Sequence, residues 1–353
     1  VSAGTRIAHA AAHVAADPLG DNRPGAPAAV DWESTLAFRR HLWRHGLGVA
    51  EAMDTAQRGM GLDWTATREL VRRSAAEARA VGGRIVAGAG TDHVAEFASL
   101  HDVRAAYEQQ VAEVEDAGAR VVLLASRALA ALARGPEDYL AVYGEVLRQV
   151  REPVVLHWLG PVFDPALTGY WGSTDADVAT GTLVALAREH ARAVDGVKVS
   201  LLDAAHEVRL RGLLPAGVRV YTGDDFHYPE LIEGGSDALL GVFAAIAPIA
   251  ARALRSLADG DLAGYRAAFA PTLPLARLLF EAPTHYYKTG IAFLAWLSGH
   301  QPGFTMVGGL QSGRGVPHLR AVHRAAAGIG LFDDDPDLAA ARMRAFLTVA
   351  GVA

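Results

Sequence analysis

The chain has 353 residues, 51% of them hydrophobic, a net charge of −6 and no cysteine. That allows a large core, excludes disulfides, thiolate metal sites and cysteine nucleophiles, and, with no basic stripe, argues against a nucleic-acid partner. The longest apolar region, Ala238–Ala258, carries Arg252 and Arg255, and no signal peptide is read at the N-terminus; a soluble cytoplasmic protein with a small-molecule substrate and no membrane partner is expected.

Short β-rich runs alternate with longer helical patterns along the chain. The strand candidates are Thr5–Ala10, Gly48–Met53, Arg84–Ala89, Ala119–Ala125, Pro153–Trp158, Gly196–Ser200, Val218–Thr222 and Ala238–Phe243. Runs with apolar spacing near 3.6 residues lie between them, among them Asp31–His45, Thr65–Val81, Val103–Ala117, Pro136–Val150 and Ala176–Val194. Continuous apolar strands joined by amphipathic helices indicate a parallel sheet, and eight such units suit a closed (β/α)₈ TIM barrel over residues 1–260. No Gly-x-Gly-x-x-Gly follows the first strand, so an open dinucleotide-binding sheet has little support; Gly88-Ala89-Gly90 reads as a tight turn. Residues 261–353 read as a C-terminal helical domain, with helices at Leu262–Phe280, Tyr286–Ser298 and Pro317–Ile329 and no strand.

Barrel chemistry sits at the C-terminal strand ends. The polar residues there are His13 and Asp17, then Glu51, Asp54, Thr55, Gln57 and Arg58, then Thr91, Asp92 and His93, then Ser126 and Arg127. His157 ends the fifth run, with Asp164 and Tyr170 in its long loop; Lys198 and Ser200 lie on the sixth, and Thr222, Asp224, Asp225 and His227 follow the seventh. Thr91 or Asp92 is also a candidate cap for the next helix.

Lys198 is singled out by composition. The chain holds 33 lysines plus arginines, and only Lys198 and Lys288 are lysine. Arginine stays protonated, whereas a desolvated lysine amine can lose its proton and attack a carbonyl. Lys198 stands between Val197 and Val199 on a central strand, where burial lowers the amine pKa. It is read as an imine-forming nucleophile; the bland alternative is an ion-paired lysine at a strand end. Lys288, after Tyr286-Tyr287, is read as structural.

The ordered set of motifs resembles the family of N-acetylneuraminate lyase and dihydrodipicolinate synthase, class I aldolase-type barrels. Gly196-Val197-Lys198-Val199-Ser200 resembles that family's Gly-(Ile/Val)-Lys-(Asp/Glu)-Ser strand, and Thr222-Gly223-Asp224-Asp225 its Ser/Thr-Gly-Asp-Asp turn. Gly234-Gly235, Ile85–Gly90, Ala117-Gly118-Ala119, Leu257–Asp261, Leu278–Phe280, Pro283 and Lys288 fit in the same order. The resemblance implies a Schiff-base lyase, aldolase or dehydratase without cofactor, assembled as a homodimer or homotetramer, although the tyrosine that crosses the family's dimer contact has no match.

The site details depart from that pattern. Asp54-Thr55-Ala56-Gln57-Arg58 stands where the family has Gly-x-x-Gly-Glu, so Thr55 keeps a hydroxyl but the carboxylate cradle is lost. His157-Trp158 replaces Tyr-Asn, and Ser126-Arg127-Ala128-Leu129 replaces Thr-Pro-Tyr-Tyr, so the usual phenol relay is absent. No arginine matches near Val162–Phe163. His157 is expected to take the acid/base role with Thr55, because an imidazole titrates near neutrality. Asp54, Arg58, Asp92, His93, Ser200, Asp224 and Asp225 are the candidate substrate contacts. A keto-acid or sugar-derived carbonyl compound is expected as substrate, in carbohydrate metabolism rather than lysine biosynthesis. Two other readings stay open. One is a metal-dependent sugar isomerase or epimerase using Glu51, Asp54, Asp92, His93, His157, Asp224 and His227, although no tight ligand spacing appears and no metal is expected. The other is a non-catalytic sugar-binding barrel.

Overall fold

The computed structural model describes residues 5–352. Eight parallel strands close in sequential order: β1 (Ala8–Ala11), β2 (Gly48–Glu51), β3 (Ile85–Ala89), β4 (Arg120–Leu123), β5 (Val154–Leu159), β6 (Val194–Ser200), β7 (Arg219–Thr222) and β8 (Asp237–Leu240), with β8 pairing back on β1. The main crossover helices are α1 (Trp32–Arg44), α2 (Trp64–Val81), α3 (Leu100–Ala117), the short α4 (Arg127–Leu132) with α5 (Pro136–Leu147), α6 (Ala176–Glu189), α7 (Ala204–Leu213) and α8 (Tyr228–Glu233). After β8 come α9 (Val242–Ala245), α10 (Ala247–Ala258), α11 (Leu262–Phe269), α12 (Leu273–Leu279), α13 (Tyr287–Leu297), α14 (Val316–Gly328) and α15 (Pro336–Val349), with no strand among the described residues there. No helix of the described residues is long and apolar enough to cross a membrane.

Local chemistry sets these boundaries. Asp31 and Asp63 accept hydrogen bonds from the first turns of α1 and α2. Ser99 with Asp102 makes a reciprocal cap for α3, so Ser99 takes the capping role that the sequence assigned to Thr91 or Asp92. Those two point elsewhere: Thr91 pairs with Ser126 and Asp92 with Arg58. The pattern read as Ala176–Val194 stops at Glu189, because Val194 already pairs with Val154 in the sheet. The run Leu262–Phe280 is broken into α11 and α12 around Pro271 and Pro274, which cannot donate a backbone hydrogen bond.

Two layers of core follow from the period-two geometry of the strands. Ala11, Ala50, Met53, Val86, Val122, Val155, Tyr221 and Leu239 cluster inside the barrel. Val197 and Val199 point the other way, into the helix layer with Leu183, Leu186 and Leu210. Lys198, between them, therefore projects into the barrel interior. The helices after residue 261 share one apolar cluster with β1, α1 and β8, including Phe38, Leu42, Leu240, Phe269, Phe293 and Met343. That packing sets α13 against the C-terminal end of the barrel, over the loop that follows β2.

Candidate functional site

The site is built outward from β6. Lys198 lies opposite His157 on β5 and Tyr221 on β7. It is 6% exposed. Its side chain runs past Gly223, where an added Cβ would lie 2.9 Å from Lys198 Cε and 2.2 Å from Ser200 Oγ. Only a residue without a Cβ leaves that path open. Burial lowers the Lys198 pKa, and the charges of Asp54 and Asp225 partly restore it. Among the described residues no carboxylate comes within the 4.0 Å of a direct ion pair, so neither aspartate locks the amine.

The Thr222-Gly223-Asp224-Asp225 turn divides its work. Asp224 accepts from the amides of Phe226 and His227 and from His227 Nδ1 at 2.9 Å, which closes the turn. Asp225 accepts only the Val242 amide at 2.8 Å. Burial pushes its carboxyl up to about 8, against the Val242 bond and the Lys198 charge, which pull it down. Amine and carboxyl are thus both driven toward their neutral forms and titrate as a pair.

His157 is buried, and its Nε2 lies 3.2 Å from Ser200 Oγ. Burial, and then the Lys198 charge, hold its pKa well below the usual histidine value. At neutral pH it is an uncharged imidazole, not one that titrates near neutrality as the sequence suggested, and it is placed to hydrogen-bond the Ser200 hydroxyl.

The segment after β2 is tightly wound. Ala52 and Gln57 both have positive φ, of 51° and 62°, a conformation that costs about 1–3 kcal/mol per non-glycine residue and clusters at functional sites. Between them a 3₁₀ turn, Asp54–Ala56, presents Asp54 and Thr55. Glu51 is held from behind by the bidentate, fully buried Arg39, at 2.7 and 2.8 Å. Arg58 is committed to the chain: it is bidentate to Asp92, at 2.6 and 2.9 Å, and also donates to Gly88 O, Ala52 O and Gln110. Burial raises the Asp92 pKa, but the Arg58 bonds outweigh it and bring the carboxyl to about 2. His93 leans on Trp64 and pairs with Gln109 and Gln110, outside the cleft wall.

A cavity of about 560 Å³ opens at this end of the barrel, a size that suits a small ligand. Asp54, Arg58, Asp92, Ser126, Arg127 and His157 are on its wall. Lys198, Ser200, Thr55, Asp224 and Asp225 are not on that wall; Lys198 is linked to it through His157, its partner in the sheet register. Of the seven residues considered as metal ligands, Glu51 is taken by Arg39, Asp92 and His93 share Gln110, and Asp224 pairs with His227; among the described residues no group of three His, Asp or Glu side chains converges on a metal position.

Two residues outside the sequence-derived set complete the cluster, both at the start of α13. Tyr287 is 3% exposed and its hydroxyl bonds Thr55 Oγ1. Burial, followed by the Asp54 charge, raises its pKa well above the usual tyrosine value. Lys288 is 1% exposed; its amine donates to Met60 Sδ at 3.5 Å and is lowered by burial to about 8. The signal for Lys288 was present in the sequence, since the scarcity of lysine that marked Lys198 marks it equally. Tyr287 carried no such signal.

This geometry defines a class: a closed (β/α)₈ barrel with C-terminal helices and a buried lysine on its sixth strand, the fold of the dihydrodipicolinate synthase family. The chain is similar over 92% of its length to YagE, a prophage protein of E. coli K12 belonging to the dihydrodipicolinic acid synthase family and solved in complex with pyruvate, at a TM-score of 0.73, 15% identity and 99% coverage of that chain. Dihydrodipicolinate synthase from Thermotoga maritima matches at 0.70 with 16% identity, covering 93% of this chain and 99% of that one. The enzyme from Aquifex aeolicus matches at 0.71 with 13% identity, covering 92% and 98%. No curated protein matches the chain in sequence. The chain belongs to the family described as protein of unknown function (DUF993), which matches residues 1–352.

Proposed function

We propose that the protein is a Schiff-base-forming lyase or aldolase of class I type, acting on a small keto-acid or sugar-derived carbonyl compound. The observation that carries this reading is the Lys198 amine, buried inside the barrel, lowered in pKa and free of a direct ion pair. A neutral amine adds to a carbonyl carbon; loss of water gives the imine, which accepts the electron pair of an adjacent bond as it breaks. His157 and Thr55 are the proposed proton-handling groups beside it, and Ser200 orients the imidazole. Asp54 and Asp225 set the charge of the amine. Asp54 on the cavity wall is the proposed substrate contact, while Arg58, Asp92 and Asp224 support the wall through their bonds within the chain.

The test is borohydride reduction of the protein with pyruvate or dihydroxyacetone, followed by peptide mass spectrometry. The expected result is a reduced adduct on Lys198. Reduction that labels no lysine with either probe would sink the reading.

A further inference from the structure

The phenol bonded to Thr55 comes from the C-terminal helices. Tyr287 opens α13, and its ring stacks on Phe280 with centroids 4.3 Å apart and planes 16° from parallel. Gly241, just past β8, makes room for both rings: a Cβ there would lie 2.9 Å from Phe280 Cζ and 3.0 Å from Tyr287 Cε2. The ring is thus clamped, and its hydroxyl is aimed at the end of β2, where it bonds Thr55. Asp54, the residue before Thr55, and Asp225, whose carboxyl holds the Val242 amide beside Gly241, act electrostatically on both Tyr287 and Lys198. A buried phenol needs only one hydrogen-bond partner. Here the partner is a hydroxyl on a strained turn at the strand mouth, a choice that also leaves a path for proton transfer.

We propose that Tyr287 is the proton-transferring phenol of the Lys198 reaction, with Thr55 as its relay. The proposal rests on the Schiff-base reading. In the step it serves, the Lys198 amine has added to a carbonyl and the carbinolamine stands in the site. Tyr287 O–H gives its proton to the carbinolamine hydroxyl, which leaves as water. The nitrogen lone pair forms the C=N bond of the iminium. The phenolate then takes a proton from the carbon next to the iminium carbon, whose C–H pair becomes the enamine double bond and neutralises the nitrogen. The sum is carbinolamine to enamine plus water, with the phenol restored. The raised pKa of the phenol keeps it protonated and ready for the first transfer.

The experiment follows methyl-proton exchange of pyruvate in D₂O by NMR, with borohydride trapping on Lys198 as the parallel readout, for the full chain and the variants Tyr287→Phe, Thr55→Val and Tyr286→Phe. General acid–base groups contribute about 10²–10⁴-fold. Tyr287→Phe is expected to slow exchange about 100-fold while Lys198 is still trapped on long incubation. Thr55→Val is expected to slow it less, and the neighbouring Tyr286→Phe not at all. Exchange at the wild-type rate in Tyr287→Phe, with Lys198 trapped, overturns the assignment and leaves the Schiff-base reading standing. Failure of the wild type to trap pyruvate or exchange its protons sinks both. If Tyr287→Phe does not fold, a fluorotyrosine placed at 287 lowers the phenol pKa without removing the hydroxyl. A shifted pH profile of exchange then supports the proposal, and an unshifted one overturns it.

Discussion

The floor of the barrel around Tyr221 and its mouth around Lys198 hold their ionisable side chains differently. At the N-terminal end direct partners dominate: Tyr221 donates to Asp195 at 2.6 Å, Arg219 pairs with Asp237 at 3.1 Å, and Asp237 also caps the amide of Ile7 at 2.7 Å. At the C-terminal end Lys198, Asp225, Tyr287 and Lys288 are more deeply buried than Arg219 and Asp195, yet among the described residues the Lys198 amine has no ion pair and Lys288 donates only to a thioether. Paired charges close the floor of the barrel. At the mouth, burial without a direct ion pair pushes Lys198, Asp225 and Lys288 toward neutrality, a pattern common at reactive sites.

Variants can break that contrast. Lys198→Ala should give the largest effect, complete loss of carbonyl trapping with the fold intact by circular dichroism; residual labelling at Lys288 would move the chemistry to the second amine. Acid should come next. His9, at the floor, is held by burial at a pKa of about 3, against 6.5 when exposed. The unfolded chain therefore binds the extra proton first as pH falls. The stability from keeping His9 neutral is complete above pH 6.5 and is lost between 6.5 and about 3 at about 1.4 kcal/mol per pH unit. Urea midpoints across this range should fall with pH, and His9→Leu should flatten the slope. A slope unchanged by that substitution would contradict the assignment.

Gly223→Ala forces a Cβ onto Ser200 Oγ and the Val199 carbonyl, at 2.2 and 2.8 Å. About 1–3 kcal/mol of destabilisation and displacement of the Lys198 chain should follow; wild-type trapping by this variant would show that the path past residue 223 is not needed. Asp225→Asn keeps an acceptor for the Val242 amide but removes a charge that raises the Lys198 pKa. The pH midpoint of trapping should move down, and a fixed midpoint would remove Asp225 from control of the amine. The smallest effect is expected at the floor: Tyr221→Phe should cost about 1 kcal/mol of stability, one hydrogen bond, with no change in trapping. A large loss of trapping there would mean that the two ends are not independent.

The strands were legible in the sequence because their signal is local. Each candidate run contains or overlaps an observed strand; the sequence leaves open which way Lys198 faces, and that follows from Val197 and Val199 packing into the helix layer. Of the side chains at the strand ends, sequence could name the set but not who holds whom. Arg58, a candidate substrate contact by sequence, is bound to Asp92, Gly88, Ala52 and Gln110. Asp224 and Asp225 are adjacent, yet one closes a turn while the other faces the amine.

By itself the sequence determined the alternation of strand and helix, the scarcity of lysine and the place of one lysine on a central strand, since hydrophobic period and composition need no distant partner. Only the tertiary structure decided that a phenol 232 residues from Thr55 shares its hydrogen bond, and that Lys288 is buried against Met60. Such meetings depend on how α13 packs against the barrel mouth, and no local pattern in either segment encodes the other.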